Sequence, residues 1–450
     1  MPHRLLLPLL CLMFVARPSS AQESSNAAGA SGETVITVPI PGQTATAEVE
    51  LFLPPGVPRV SSVLVFVNTV IDELLFDSRW TRTMCVRARC AMLRLSLPFL
   101  PGAPPSAQVL RNAPLGGGQA LLTALNELAR RTGRPELADA GVLLWGFSAG
   151  GNFGPTFAQW RPDRTLGFVR YYSNLRGIPV DVSRIANIPA LIVAGGADSV
   201  AGIEDSERAW RAGRAANAPW AFVVHPGQAH GSAQGILGST VFMLKWIEAV
   251  LSTQGQSSGS NSASSLARRF SRDSVWLAND ATGEITVVPR GGAGDGDRVA
   301  TSWFPSEESA ASWFRLRGAC ASLPQHWAEE ALGASARRTS GPPEVCEYSA
   351  SSEGGAAATL RLTFTQRSLT NGMQKVWADS LRKGGGTPLV GSQDRAFVFV
   401  NAQQGCRSVV ARRTSDIVEL VRCGPAYDSA EAARRADALV LRLVGRQNGV

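Results

Sequence analysis

Between Val60 and Leu251, short apolar runs alternate with stretches of helical period. The runs are "VSSVLVFVN", "CAMLRLSLP", "AGVLLWG", "LGFVRYYS", "IPALIVAGG" and "PWAFVVHPG". Each has the length of a strand, and "VSSVLVFVN" is a short apolar run of the kind found in a strand buried on both faces. Between them, "GGGQALLTALNELARRTG" places its apolar residues at helical spacing and stops at Gly133, a residue suited to a helix end. Ile71–Cys85, Ala149–Trp160, Ile203–Ala215 and Ile236–Leu251 read as further helices. Strands alternating with helices imply βαβ units, hence an α/β fold with a mostly parallel sheet and helices on both faces. Ahead of them, "TVITVPI" and "ATAEVELFLP" flank "PGQ" as strand, turn and strand.

The chain has 450 residues, more than one core usually serves, so a second domain is expected. After the α/β region comes a polar Ser/Gly-rich stretch, residues 252–265, then a short Trp-rich segment with Trp276, Trp303 and Trp313. Residues 271–316 are too few to hold a core of their own. They are expected to dock as an appendage on a first domain spanning 34–316, with the tryptophans as packing residues. The Gly-rich "GGAGDGD" at 291–297 reads as a surface turn, since its spacing does not fit a calcium loop. Over residues 317–450 the pattern is different. "ATLRLTFTQ", "RAFVFVN", "RSVVARR" and "IVELVRC" are strand-like there, and "SAEAARRADALVLRLVG" is helical. A small α+β domain is expected from them.

The amino terminus reads as a cleaved export signal over residues 1–21. Arg4 opens it, Leu5–Val15 is apolar but shorter than a membrane span, and Ser19 and Ala21 supply small residues for cleavage. A loose leader, 22–33, follows. The mature chain is expected to be periplasmic or secreted, with no membrane span. Of seven cysteines, Cys11 falls in the signal, leaving six, an even number suited to disulfides in an exported chain. Sequence neighbours suggest the pairs 85–90, 320–346 and 406–423, one of fifteen possible connectivities. The net charge of +8 is carried by arginine, with Lys245, Lys375 and Lys383 the only lysines. No dense basic run occurs, which argues against nucleic acid as a partner.

The chemistry gathers around "GFSAG", Gly146–Gly150, a G-x-S-x-G pattern set between a strand and a helix. That context is what a nucleophile elbow requires. A serine on such a turn takes strained backbone angles, and small neighbours are needed where the chain passes close to itself. The Ala149 N–H then stands at a helix start, free to stabilise an oxyanion. A serine hydroxyl needs a base. His326 lies in the second domain, His225 ends a strand, and His230 lies in the loop after it, the better position for a base. An orienting carboxylate is also needed. Asp198 follows the strand "ALIVA", with Asp181 and Glu204 as rivals.

With these residues in hand, 34–251 resembles an α/β-hydrolase of the dienelactone-hydrolase and secreted-esterase kind. The stretches that carry the resemblance are "LFLPPG", "SSVLVFVN", "GFSAGG", "VAGGAD" and "HPGQAHG". It implies an eight-stranded sheet, an acyl-enzyme mechanism and no cofactor or metal. It implies Ser148 as nucleophile, His230 as general base and Asp198 as orienting acid. Where such proteins often carry His-Gly, this chain has "VNTV", so the second oxyanion donor is expected from the backbone of Thr69 or Val70. The function implied is a serine hydrolase acting on small carboxylic esters. The alternative is a catalytically weak or inactive scaffold of the cell envelope that meets a partner through its C-terminal domain.

Overall fold

The computed structural model describes residues 33–67, 72–99, 102–178, 180–231, 233–252, 275–279, 285–288, 300–323, 325–339, 345–351, 357–365, 378–390, 392, 395–413, 416–424, 427 and 429–444. The expected export signal, most of the expected leader, Asn68–Val70, the polar stretch after Ser252 and "GGAGDGD" lie outside the described residues.

Eight strands form the first sheet: β1 (Thr34–Pro39), β2 (Thr46–Phe52), β3 (Ser62–Val67), β4 (Cys90–Ser96), β5 (Gly141–Phe147), β6 (Thr165–Tyr171), β7 (Ala190–Gly195) and β8 (Trp220–His225). Their order across the sheet is β1-β2-β4-β3-β5-β6-β7-β8. β2 is antiparallel to both its neighbours, and from β4 to β8 every pairing is parallel. Parallel pairing puts all the carboxyl ends of β3 to β8 on one edge, where the loops after β5, β7 and β8 must meet.

The alternation of side chains divides the core in two. Val142 and Leu144 of β5, with Phe168 of β6 and Ile192 of β7, face helices Gly117–Thr132, Phe153–Trp160 and Glu204–Ala215. Leu143 and Trp145, with Val169 and Leu191, face helices Arg79–Ala88 and Ala233–Ser252. Every residue of β5 is buried, which is why its sequence reads as a continuous apolar run. The expected helix over Ile71–Cys85 is two helices, Asp72–Phe76 and Arg79–Ala88. Ser78 separates them because its side chain accepts the Trp80 N–H as an N-cap.

β9 (Val275–Asn279), β10 (Ile285–Val288) and β11 (Thr301–Phe304) form a three-stranded antiparallel sheet. β11 and the helix Glu307–Leu316 close the exposed edge of β8. Phe222 N–H donates to Ser302 Oγ at 2.9 Å, and Trp313 Nε1–H donates to Phe222 O at 2.7 Å. Backbone groups that an edge strand would leave open are thus paired by side chains. Trp303, Phe304 and Trp313 are buried in the same core cluster as Trp145 and Trp246. They are packing residues, as expected of Trp303 and Trp313.

The third sheet is wholly antiparallel. Its strands are β12 (Arg337–Thr339), β13 (Val345–Ser351), β14 (Ala357–Thr365), β15 (Thr387–Pro388), β16 (Ala396–Asn401), β17 (Cys406–Arg413) and β18 (Asp416–Cys423). One face packs on helices Gln325–Leu332 and Ala430–Val444 through Tyr348, Leu360, Leu420, Leu439 and Val440. Two disulfides staple it, Cys320–Cys346 and Cys406–Cys423.

The third expected disulfide is absent. Cys85 and Cys90 are free, buried thiols that hydrogen-bond to each other. Burial, then the contact with Cys90, pushes the Cys85 thiol well up. The thiolate through which disulfides form and exchange is disfavoured there. Among the described residues, no helix is long and apolar enough to cross a membrane.

Candidate active site

The elbow is built by close backbone approach. Ser148 has φ 49°, a left-handed conformation that a side chain rarely adopts. A Cβ at Gly146 would come within 2.2 Å of Gly150 O, and one at Gly151 within 2.6 Å of Ser173 Cβ. Both positions therefore require glycine, which explains why the pattern around the serine is Gly-rich. Behind the turn, Ser173 Oγ donates to Asn152 Oδ1 at 2.9 Å in a buried contact. A 3-10 turn, Ser148–Asn152, runs directly into the helix Phe153–Trp160. Ala149 N–H sits in its first turn, where no earlier helical carbonyl can accept it. Thr69, the other expected oxyanion donor, lies outside the described residues.

Ser148, His230 and Asp198 come together although 82 and 32 residues separate them along the chain. Ser148 Oγ lies 2.9 Å from His230 Nε2, and His230 Nδ1 lies 2.8 Å from Asp198 Oδ2. The second carboxylate oxygen, Oδ1, accepts the backbone N–H groups of Val200 and Ala201, each at 2.9 Å. Asp198 is thus oriented by its own loop, and its side chain is fully covered. His230 retains 18% exposure, so the base stays open to a reacting molecule. The Phe147 ring packs against the His230 ring at 4.8 Å between centroids.

The glycines of "VAGGAD" have a structural reason too. The loops after β7 and β8 run against each other: Gly196 N–H donates to His225 O at 2.8 Å and Ala197 N–H to Gln228 O at 2.9 Å. A Cβ at Gly195 would meet Gln228 O at 2.5 Å, and one at Gly196 would meet Gly227 N at 3.0 Å. These contacts set the height of Asp198 against His230.

The rivals stand elsewhere. Asp181 caps the short helix Val182–Ile185, accepting the Ser183 N–H at 3.0 Å. Glu204 opens the helix Glu204–Ala215. His326 is exposed on the helix Gln325–Leu332, beside the third sheet. His225 is buried at the end of β8, and burial pushes its pKa down to about 4, so it is neutral at neutral pH. It meets Tyr172, whose hydroxyl is 3.2 Å from its Nδ1. Tyr171 is buried in the core, with its hydroxyl 2.8 Å from Ser239 Oγ. Burial pushes the Tyr171 phenol up to about 12. Sequence reasoning did not find the Phe147 ring against His230. Its one signal was an aromatic residue in the variable position before the serine.

The strand order, the antiparallel β2 and the strained serine between β5 and a helix define an α/β-hydrolase fold. Residues 118–235 match the model of the dienelactone hydrolase family, a stretch that contains Ser148, Asp198 and His230. That match supports a hydrolase. No curated protein matches the chain. Among solved structures, a thermostable esterase is 15% identical, with 43% of this chain and 54% of that one covered at a TM-score of 0.34. The chain thus spans about half of that esterase's length. An α/β hydrolase enzyme from a Medee basin deep-sea metagenome is 14% identical over 49% of this chain and 99% of that one, TM-score 0.36. A predicted CIB-like hydrolase from Thermoplasma acidophilum is 12% identical over 48% and 98%, TM-score 0.34. Nothing about activity follows from likenesses of that size.

Proposed function

We propose that the chain is an exported serine hydrolase that cleaves small carboxylic esters through Ser148, His230 and Asp198. The observation that carries this is the unbroken hydrogen-bond chain from Ser148 Oγ through His230 to Asp198, on a serine held at φ 49°. In this mechanism His230 Nε2 takes the serine proton as Oγ attacks the ester carbonyl. Asp198, held by two backbone N–H groups, keeps the His230 proton on Nδ1 and stabilises the imidazolium. The oxyanion is met by the Ala149 N–H and a backbone donor at Thr69. His230 then protonates the leaving alcohol, and water releases the acyl group from Ser148. The N-terminal signal and the two disulfides fit an oxidising compartment outside the cytoplasm. We place the boundary between the hydrolase domain and the disulfide-bearing domain at Leu316 and Arg317. Residues 317–450 are the surface we assign to an envelope partner.

A fluorophosphonate probe tests the assignment. Wild-type protein is expected to be labelled at Ser148, and Ser148→Ala to lose labelling and about 10⁴-fold or more in ester hydrolysis. A wild type left unlabelled beside a labelled control esterase would falsify it.

A further inference from the structure

Tyr172 and His225 are buried at the same sheet edge as Ser148, yet neither belongs to the hydrogen-bond chain above. Tyr172 is one of four described non-glycine residues with positive φ, at 48°. Arg89 caps a helix end and Asn217 follows one, where that conformation is ordinary. Ser148 is the elbow. Tyr172 follows a strand, where a left-handed aromatic residue is strained and must be held by its surroundings.

The strain has a geometric product. Successive strand residues point to opposite faces. At Tyr172 the left-handed turn breaks that alternation, and its ring stacks on Tyr171 at 4.3 Å with the planes 9° apart. The ring then lies over the end of β7, where a Cβ at Gly195 would come within 3.1 Å of Tyr172 Cε2. Its hydroxyl reaches Nδ1 of His225, the last residue of β8, at 3.2 Å. Since β7 lies between β6 and β8, this hydrogen bond straps the outer two strands together across the one that leads to Asp198. His225 is in turn the root of the loop that carries His230, and its carbonyl accepts the Gly196 N–H from the Asp198 loop.

We propose that Tyr172 is a positioning residue, whose hydrogen bond to His225 holds the Asp198 and His230 loops at the height that completes the Ser148–His230–Asp198 chain. Its catalytic consequence rests on the serine-hydrolase function proposed above; the strap itself does not.

The test uses the full mature chain. Tyr172→Phe keeps the ring and its stacking and removes only the hydroxyl, while His225→Asn keeps a polar atom at the Nδ1 position as a partner for the hydroxyl. Amide exchange of residues 196–202 and 226–231 reads the strap without reference to activity. In Tyr172→Phe it is expected to quicken about tenfold in those two loops, with phosphonate labelling and kcat falling about tenfold and KM within about twofold. His225→Asn is expected to stay within about threefold of wild type in exchange, labelling and kcat, and a loss as large as that of Tyr172→Phe would overturn the strap. Unchanged exchange in Tyr172→Phe overturns the strap. Quickened exchange with unchanged labelling overturns the positioning role. A wild type that is never labelled breaks the serine-hydrolase proposal instead, and the exchange measurement still decides the strap.

Discussion

The two large sheets are built on opposite plans. In the first, β3, β5, β6 and β7 are buried along their whole length, and the parallel pairing gathers successive loops on one edge. In the third, β13 alternates buried and half-buried residues, because helices cover one face only. Antiparallel pairing sends consecutive loops to opposite ends, so no such gathering occurs. The first sheet concentrates residues from distant parts of the chain and is held by two apolar layers. The third rests on a smaller core and adds two covalent staples. Chemistry belongs where parallel strands end together; cross-links belong where the core is small.

Three measurements press on that contrast. The largest expected effect is reduction of Cys320–Cys346 and Cys406–Cys423, which close loops of 26 and 17 residues. Each is expected to contribute about 3 kcal/mol. Denaturant melts with and without dithiothreitol, followed by exchange in β13–β18 and in β3–β8, should lose stability in the third sheet alone. Equal loss in both sheets would show that they fold as one unit.

Next is Gly146→Ala. Its Cβ would meet backbone, Gly150 O, at 2.2 Å, which no rotamer change relieves. A loss of about 4 kcal/mol in the first sheet is expected, read as a lower urea midpoint, with the third sheet's protection unchanged.

The smallest effect is a pH dependence seated at His225. Its pKa is about 4 in the folded chain against an ordinary value of 6.5. The unfolded chain therefore binds the proton first as pH falls. The stability this group contributes is fully present above pH 6.5 and is lost as pH drops toward 4, amounting to about 3 kcal/mol. Urea midpoints at pH 7 and pH 4.5 should show this slope in wild type, and His225→Gln should flatten it.

Much of the first sheet is legible in the sequence because the signals are local. A strand buried on both faces must be apolar throughout, and "GVLLWGF" is. An elbow must have glycine where backbone meets backbone, and Gly146 and Gly151 supply it. The candidate site was legible to the same depth: a serine after a strand, an aspartate after the next but one, a histidine after the next. The Cys85–Cys90 expectation failed because nearness in sequence says nothing about burial. Arg89, at φ 53°, ends the helix that carries Cys85, and both thiols lie buried in the core as free cysteines.

What the sequence by itself determined is the set of elements, their alternation and the residue types at each strand end. These follow from side-chain periodicity and from steric demands on single residues. The sequence favoured His230 of "HPGQAH" by its loop position, but only the tertiary structure decided where each of the two histidines reaches. His230 reaches Ser148 and Asp198 because the loops after β7 and β8 bond to each other, while His225 turns beneath them to Tyr172. Only the structure, too, revealed that Ser302 and Trp313 close the edge of β8. The physical reason is the same in both cases. Hydrogen bonds between segments distant in sequence leave no periodic trace in either segment, and exist only once the sheet has set their distance.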